Sequence, residues 1–158
     1  MRAAGAGPVE EWLDAATIRQ RIEPLLPPAL VEWAETALQR LVELGPDPHG
    51  VTYGLFDGHG WNMAYDAEGE RFGGVFDFGD SGFGPLHQEF VYSNLIAPDL
   101  TRRIVDSYER HSGRALDRER ILVLTDIHRL WEVAEEHEDE ASVAVMLEAA
   151  HAWVKVRG

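Results

Sequence analysis

Apolar residues at Leu30, Trp33, Ala34, Ala37, Leu38, Leu41 and Leu44 recur at steps of three and four, which puts them on one face of a helix. The spacing predicts a helix from Leu30 to Leu44. Pro28 suits its first turn, where the N–H that proline lacks has no helical partner anyway. Gly45-Pro46-Asp47-Pro48 stops it. Upstream, Trp12, Ala16 and Arg19 share one face and Ile18, Ile22 and Leu25 another, a first helix with two competing faces that Pro24, Pro27 and Pro28 break. Leu100, Ile104 and Tyr108 space a later helix, with Gly113 as its stop. Asp117 is placed to N-cap a long helix carrying Ile121, Leu124, Ile127, His128, Trp131 and Ala134. Val143, Met146, Leu147, Ala150, Trp153 and Val154 mark the last.

The middle of the chain has a different rhythm. Val51 to Phe56, Asn62 to Tyr65 and Phe72 to Phe76 are short, β-prone apolar runs. Asp66-Ala67-Glu68-Gly69-Glu70 is turn chemistry and predicts a hairpin between the second and third. Glycine is dense from Gly50 to Gly84, so the backbone there bends sharply or approaches something closely. Helices flanking a small β-hairpin give an α+β fold, mainly helical. The expected division is helical over 9–48, loops and short strands over 49–92, and helical again over 93–158, as a single domain; residues 1–8 are small and expected to be disordered.

Composition narrows the function classes. The chain has 158 residues, 45% of them apolar and 27% charged, which suits one globular core. No apolar run approaches a membrane span, and the N-terminus lacks the apolar stretch of a signal peptide. There is no cysteine, hence no disulfide framework and no thiolate site; cytoplasmic residence is the default expectation. A net charge of -14 argues against nucleic-acid binding, which needs a basic face. It favours a cationic small molecule and leaves a polyanion such as ATP dependent on Mg²⁺ and local cations. The cations are 13 arginines and one lysine, Lys155.

The candidate chemistry sits in two stretches, Asp57-Gly58-His59-Gly60-Trp61-Asn62 and Asp77-Phe78-Gly79-Asp80. An aspartate precedes an asparagine by five residues, and a second aspartate follows fifteen later. Asp57, in a glycine-flanked loop, can take a proton from a substrate hydroxyl. The Asn62 amide oxygen and the Asp77 carboxylate are hard ligands suited to Mg²⁺, which takes one or two carboxylates beside waters and phosphates. Asp57 and Asp77 are also ordinary turn formers beside glycine. His59 either contacts phosphate or hydrogen-bonds backbone, the bonded role being favoured. Asp80 is either a second carboxylate near the metal or a turn residue, and the turn is preferred. Glu89 can brace the loop from behind. Trp61 either packs the loop down or lines a cleft. His128, Glu132 and the run Glu135-Glu136-His137-Glu138-Asp139-Glu140 offer a conceivable metal site, with a solvated helix end the simpler reading.

From Tyr53 to about Tyr92 the chain resembles the aminoglycoside phosphotransferase family, relatives of protein kinases that include choline kinases. Asp57 falls on the family's catalytic Asp, His59 on its second His, Asn62 on its metal-binding Asn and Asp77 on the Asp of its metal loop. Glu89 stands where the family commonly has a bracing Asp. Leu55-Phe56 replaces the usual His-Gly, and Trp61 stands where Gly is common. The resemblance implies a protein-kinase-like C-terminal lobe, with a small β-hairpin carrying the catalytic and metal loops. It implies Mg²⁺-dependent transfer of the ATP γ-phosphate to a hydroxyl of a small molecule. His59, Asn62 and Asp77 would contact the nucleotide and its metal. The segment before Asp57 has no lysine and reads as helix, so the family's N-terminal nucleotide-binding lobe is expected to be absent from this chain. The chain alone is then expected to be incomplete, and a separate N-lobe partner or a homodimer is the implied complement. The alternative is a non-catalytic, pseudokinase-like module that binds a small molecule or a protein.

Overall fold

A computed structural model describes residues 7–157. The disorder expected for residues 1–6 falls outside them. Gly7 and Pro8 do not follow that expectation. Pro8 bridges to Phe83, the Phe83 N–H donates to Gly7 O at 2.9 Å, and the Val9 N–H donates back to Phe83 O at 3.1 Å. An extended segment that finds a strand edge satisfies its backbone there and becomes ordered.

Six α-helices and four short strands are present among the described residues. They are α1 (Ala15–Ile22), α2 (Pro28–Glu43), β1 (Val51–Gly54), β2 (Met63–Tyr65), β3 (Phe72–Val75), β4 (Gly82–Pro85), α3 (Val91–Ile96), α4 (Pro98–Ser112), α5 (Arg118–Glu135) and α6 (Glu140–Arg157). The mainly helical α+β composition expected from the patterning is present. Helix ends follow local chemistry. Asp14 caps α1 by accepting the Ala16 and Thr17 N–H groups, each at 2.9 Å. Pro28 opens α2, Gly113 ends α4 at φ 69°, and Asp117 accepts the Arg120 N–H at 3.1 Å at the start of α5. No described helix is long and apolar enough to cross a membrane.

The described residues cluster as two compact units, where the sequence predicts one lobe. The first holds residues 7–10 and 46–121. Its strands form two antiparallel pairs, β1 with β4 and β2 with β3. The hairpin is thus formed as expected, with Met63 opposite Val75 and Tyr65 opposite Phe72. A second pairing joins β1 to β4, a strand the patterning does not predict: Tyr53 faces Phe83 and Gly54 faces Gly82. Leu86, Phe90, Val105, Leu116 and Ile121 form this unit's core. Buried His87 ties it together. Its ring Nδ1 lies 2.8 Å from Asp47 Oδ2, and its Nε2 accepts the Asp117 N–H at 3.0 Å. Acceptance at Nε2 places the ring proton on Nδ1, which donates to Asp47.

The second unit holds residues 11–45 and 122–157 and is helical. Ile18, Ile22, Ala34, Leu38, Ile127, Leu130 and Val133 form its core. A fully buried carboxylate, Asp126, sits among three helices. The indole N–H groups of Trp33 and Trp153 both donate to its Oδ1, at 3.1 and 2.7 Å, and Arg157 pairs with Oδ2 at 2.9 Å. These two tryptophans are core residues, as their helical stripes predict, but each also uses its polar edge.

Candidate active site

β1 delivers the chain to Phe56, whose ring is buried at 3% exposure and whose backbone is left-handed at φ 53°. The side chain of Glu89 comes from the turn preceding α3. Its Oε2 accepts the Phe56 N–H at 2.8 Å, and the Leu55 N–H also donates to this carboxylate. The bracing role read from sequence therefore has a concrete form, a carboxylate holding the two amides just before Asp57. Gly54 makes room for it: a Cβ there would collide with Glu89 Oε2 and lie 2.9 Å from the Phe56 ring. Burial raises the Glu89 pKa, against the pull of the two backbone donors.

Asp57 follows, half-buried. Its carboxylate accepts the Asn62 amide, whose Nδ2 also donates to Asp57 O at 3.0 Å, and its Oδ1 lies 2.9 Å from His59 Nε2. His59 thus bonds a side chain where backbone is expected, because the Gly58–Gly60 loop folds the ring back over the carboxylate. Burial raises the pKa of Asp57. His59 and the Asn62 hydrogen bond oppose the rise, and the negative charges of Asp80 and Asp77 add to it.

Residues 60–62 form one 3₁₀ turn that leads into β2. The Phe76 N–H donates to Asn62 O at 3.0 Å, extending the β2–β3 pairing by one step. That bond sets Asp77 one residue beyond Asn62's partner. Asp77 is exposed and left-handed at φ 59°, and among the described residues its carboxylate accepts one long bond, from the Gly79 N–H at 3.4 Å. Asp80 lies in the following turn, as preferred from sequence, and its charge is nonetheless felt at Asp57. Trp61 is 85% exposed and does not pack the loop down.

The donor set suits a hard cation. No described residue donates a hydrogen bond to the Asn62 amide oxygen, since that side chain spends its Nδ2 on Asp57. The Asp77 carboxylate is exposed and nearly unbonded. One amide oxygen and one carboxylate leave positions for water and phosphate, as Mg²⁺ prefers. No group of three His, Asp or Glu side chains able to hold a metal occurs among the described residues. The alternative site in the second unit is accordingly not assembled. His128 lies 3.6 Å from Glu132, which Arg129 also engages at 2.8 Å, and the His128 ring packs edge-on against Trp12.

Two features escaped the sequence reading. Nothing in the composition marks Phe56 as left-handed. The Asp47–His87–Asp117 link joins residues far apart in the chain, and no local pattern announces it.

A helix-rich α+β chain with small strand pairs is consistent with a kinase-like phosphotransferase fold. The sequence model of APH, the phosphotransferase enzyme family, matches residues 2–123, and the chain belongs to that family. No curated protein matches it.

Proposed function

We propose that the protein transfers the γ-phosphoryl group of ATP to a hydroxyl of a small molecule, with Asp57 as the base and Asn62 and Asp77 as Mg²⁺ ligands. The observation that carries this reading is the closure of the β2–β3 hairpin. It pairs Asn62 with Phe76, next to Asp77, while the Asn62 amide holds Asp57. Family membership supports phosphotransferase chemistry in general.

In this reading the substrate oxygen attacks the γ-phosphorus, the bond from phosphorus to the ADP oxygen breaks, and the hydroxyl proton moves to the Asp57 carboxylate. Each carboxylate oxygen has two lone pairs, so Asp57 can accept that proton while still bonded to Asn62 and His59. The upward pKa shift from burial makes it a better acceptor. His59 fixes the carboxylate's rotation through its 2.9 Å contact with Oδ1. Bound Mg²⁺ would neutralise phosphate charge. The side chains gathered here are carboxylates, an amide and one histidine, so we include a nucleotide-covering lobe or a second copy as the source of further cations.

The test is Mg²⁺-dependent ADP release from ATP with a panel of small alcohols. Asp57→Asn should lower turnover by about 10²–10⁴-fold, the usual scale for a lost general base, with an unchanged circular dichroism spectrum. Equal rates for the two proteins would overturn the role of Asp57.

A further inference from the structure

A cavity of about 360 Å³ lies in the first unit, bounded by β1, the loop after it, the start of β2, and α3 and α4. Its volume is at the lower end of small-molecule sites. Leu55, Met63, Leu86, Phe90 and Ile104 supply much of the wall, and the rings of Tyr53 and Tyr108 supply more. Gly58, the residue after Asp57, also lines it, so a molecule filling the cavity lies against the catalytic loop.

The one charged side chain in the wall is Glu89. Its carboxylate accepts the Phe56 and Leu55 amides and keeps lone pairs beyond those two bonds. Ser93 is committed. Its hydroxyl bonds Phe90 O at 2.9 Å and Thr101 Oγ1 at 2.8 Å. What the wall offers a ligand is carbon surface and the hydroxyls of Tyr53, Tyr108 and Thr52. An ammonium taken into such a place loses its water and meets a single carboxylate that two amides already share. The net charge of -14 attracts cations to the molecule as a whole, but it does not set the chemistry of one cavity.

We propose that this cavity holds the body of the phosphoryl acceptor, and that the acceptor is an uncharged, largely apolar alcohol rather than an amine-bearing one. The inference rests on the phosphotransferase reading above and names the substrate class of that site. The apolar body fills the space between Phe90, Ile104 and Met63. A hydroxyl of Tyr53, Tyr108 or Thr52 takes the polar contact, and the molecule abuts Gly58.

Binding can be read without turnover. Saturation-transfer NMR and calorimetry would be run on the intact chain with benzyl alcohol and, separately, with choline, in the absence of nucleotide. Benzyl alcohol should bind saturably and choline should not. Ile104→Trp, which fills the cavity from α4, should weaken benzyl alcohol at least about tenfold by occupying its volume. Thr52→Phe fills the cavity from β1 and should do the same; it serves if Ile104→Trp does not fold. Preferred binding of choline, no binding of benzyl alcohol, or equal binding by the folded filled variants would overturn the proposal. Failure of the phosphotransferase reading looks different. Benzyl alcohol would then bind and be displaced by the filling substitutions, yet Mg²⁺ and ATP would yield no phosphorylated product.

Discussion

Replacing Glu89 by alanine should destabilise the protein through the backbone it leaves behind. The carboxylate accepts the Phe56 N–H at 2.8 Å and the Leu55 N–H, and Phe56 is 3% exposed. A buried donor left without an acceptor costs about 1–3 kcal/mol. Phe56 should carry most of that cost, and Leu55, half-buried, should recover part of its loss to water. The sum is about 3 kcal/mol, or about 6–12 °C in melting temperature for a chain of this length. Glu89→Gln keeps one acceptor oxygen, loses the charge-assisted part of the bond and also removes a buried charge, so it should cost no more than about 1 kcal/mol. Gly54→Ala gives an independent handle. Its new Cβ would collide with Glu89 Oε2 and sit 2.9 Å from the Phe56 ring. Removing the carboxylate relieves the first clash but not the second. The double variant should therefore be more stable than the sum of the two losses, by about 1 kcal/mol or more, as expected for contacting residues. Urea unfolding and thermal melts of the four proteins close this cycle. Glu89→Ala melting within about 2 °C of the parent, a shift worth under about 1 kcal/mol, would refute the bracing argument. So would strict additivity with Gly54→Ala.

Other outcomes follow from the same geometry. Burial alone would raise the pKa of Asp47, but the backbone and ring donors of His87 and the His49 N–H outweigh it and hold the carboxyl below its usual value. Asp47 therefore adds stability above its unfolded pKa of about 3.9. That stability is lost as pH falls through the folded value; Asp47→Asn should flatten this acid limb in denaturation curves taken across pH, and an unchanged limb would count against the link. Asp126→Ala leaves two indole donors and Arg157 without their buried partner and should cost about 3–5 kcal/mol. Trp33→Phe, losing one of those hydrogen bonds, should cost nearer about 1 kcal/mol in chemical denaturation. Asp77→Asn should hold stability within about 0.5 kcal/mol, since asparagine tolerates the left-handed region, while Mg²⁺-dependent phosphotransfer is lost; retained activity would remove Asp77 from the metal site.

α2, α4, α5 and α6 were legible because each carries several turns of apolar period, whereas the six residues of α3 are too few to show one. α2 begins at Pro28 and α4 ends at Gly113, the positions their capping chemistry indicates. β4 was not legible. Gly82-Phe83-Gly84-Pro85 has a single large side chain, so it shows no alternation, and its partner β1 lies some thirty residues away. The approach of Gly84 to the Phe56 ring, where a Cβ would lie 2.7 Å from it, explains the glycine but only after the pairing is known. At the candidate site, the positions of Asp57, Asn62 and Asp77 were readable from spacing and the hairpin turn. The direction of side chains was not. His59 turns onto Asp57, and Trp61 turns outward, because a loop rich in glycine leaves rotation to contacts the sequence does not display.

Strain separates the candidate site from the rest of the fold. Among the described residues only Phe56 and Asp77 are left-handed without being glycine. That conformation costs an L-residue about 1–2 kcal/mol, least for Asp and Asn. At Phe56 the cost is offset locally. The ring is buried against the space left by Gly84, and its N–H is held by Glu89. Asp77 has no such compensation. It is exposed, its carboxylate accepts one long bond from Gly79, and glycine would adopt the same backbone with no penalty. Folding therefore accounts for the geometry of Phe56 but gives no reason for a carboxylate at position 77. The proposed function supplies one: as a Mg²⁺ ligand, the Asp77 carboxylate would bring an oxygen donor to the end of the hairpin, one residue beyond the partner of Asn62.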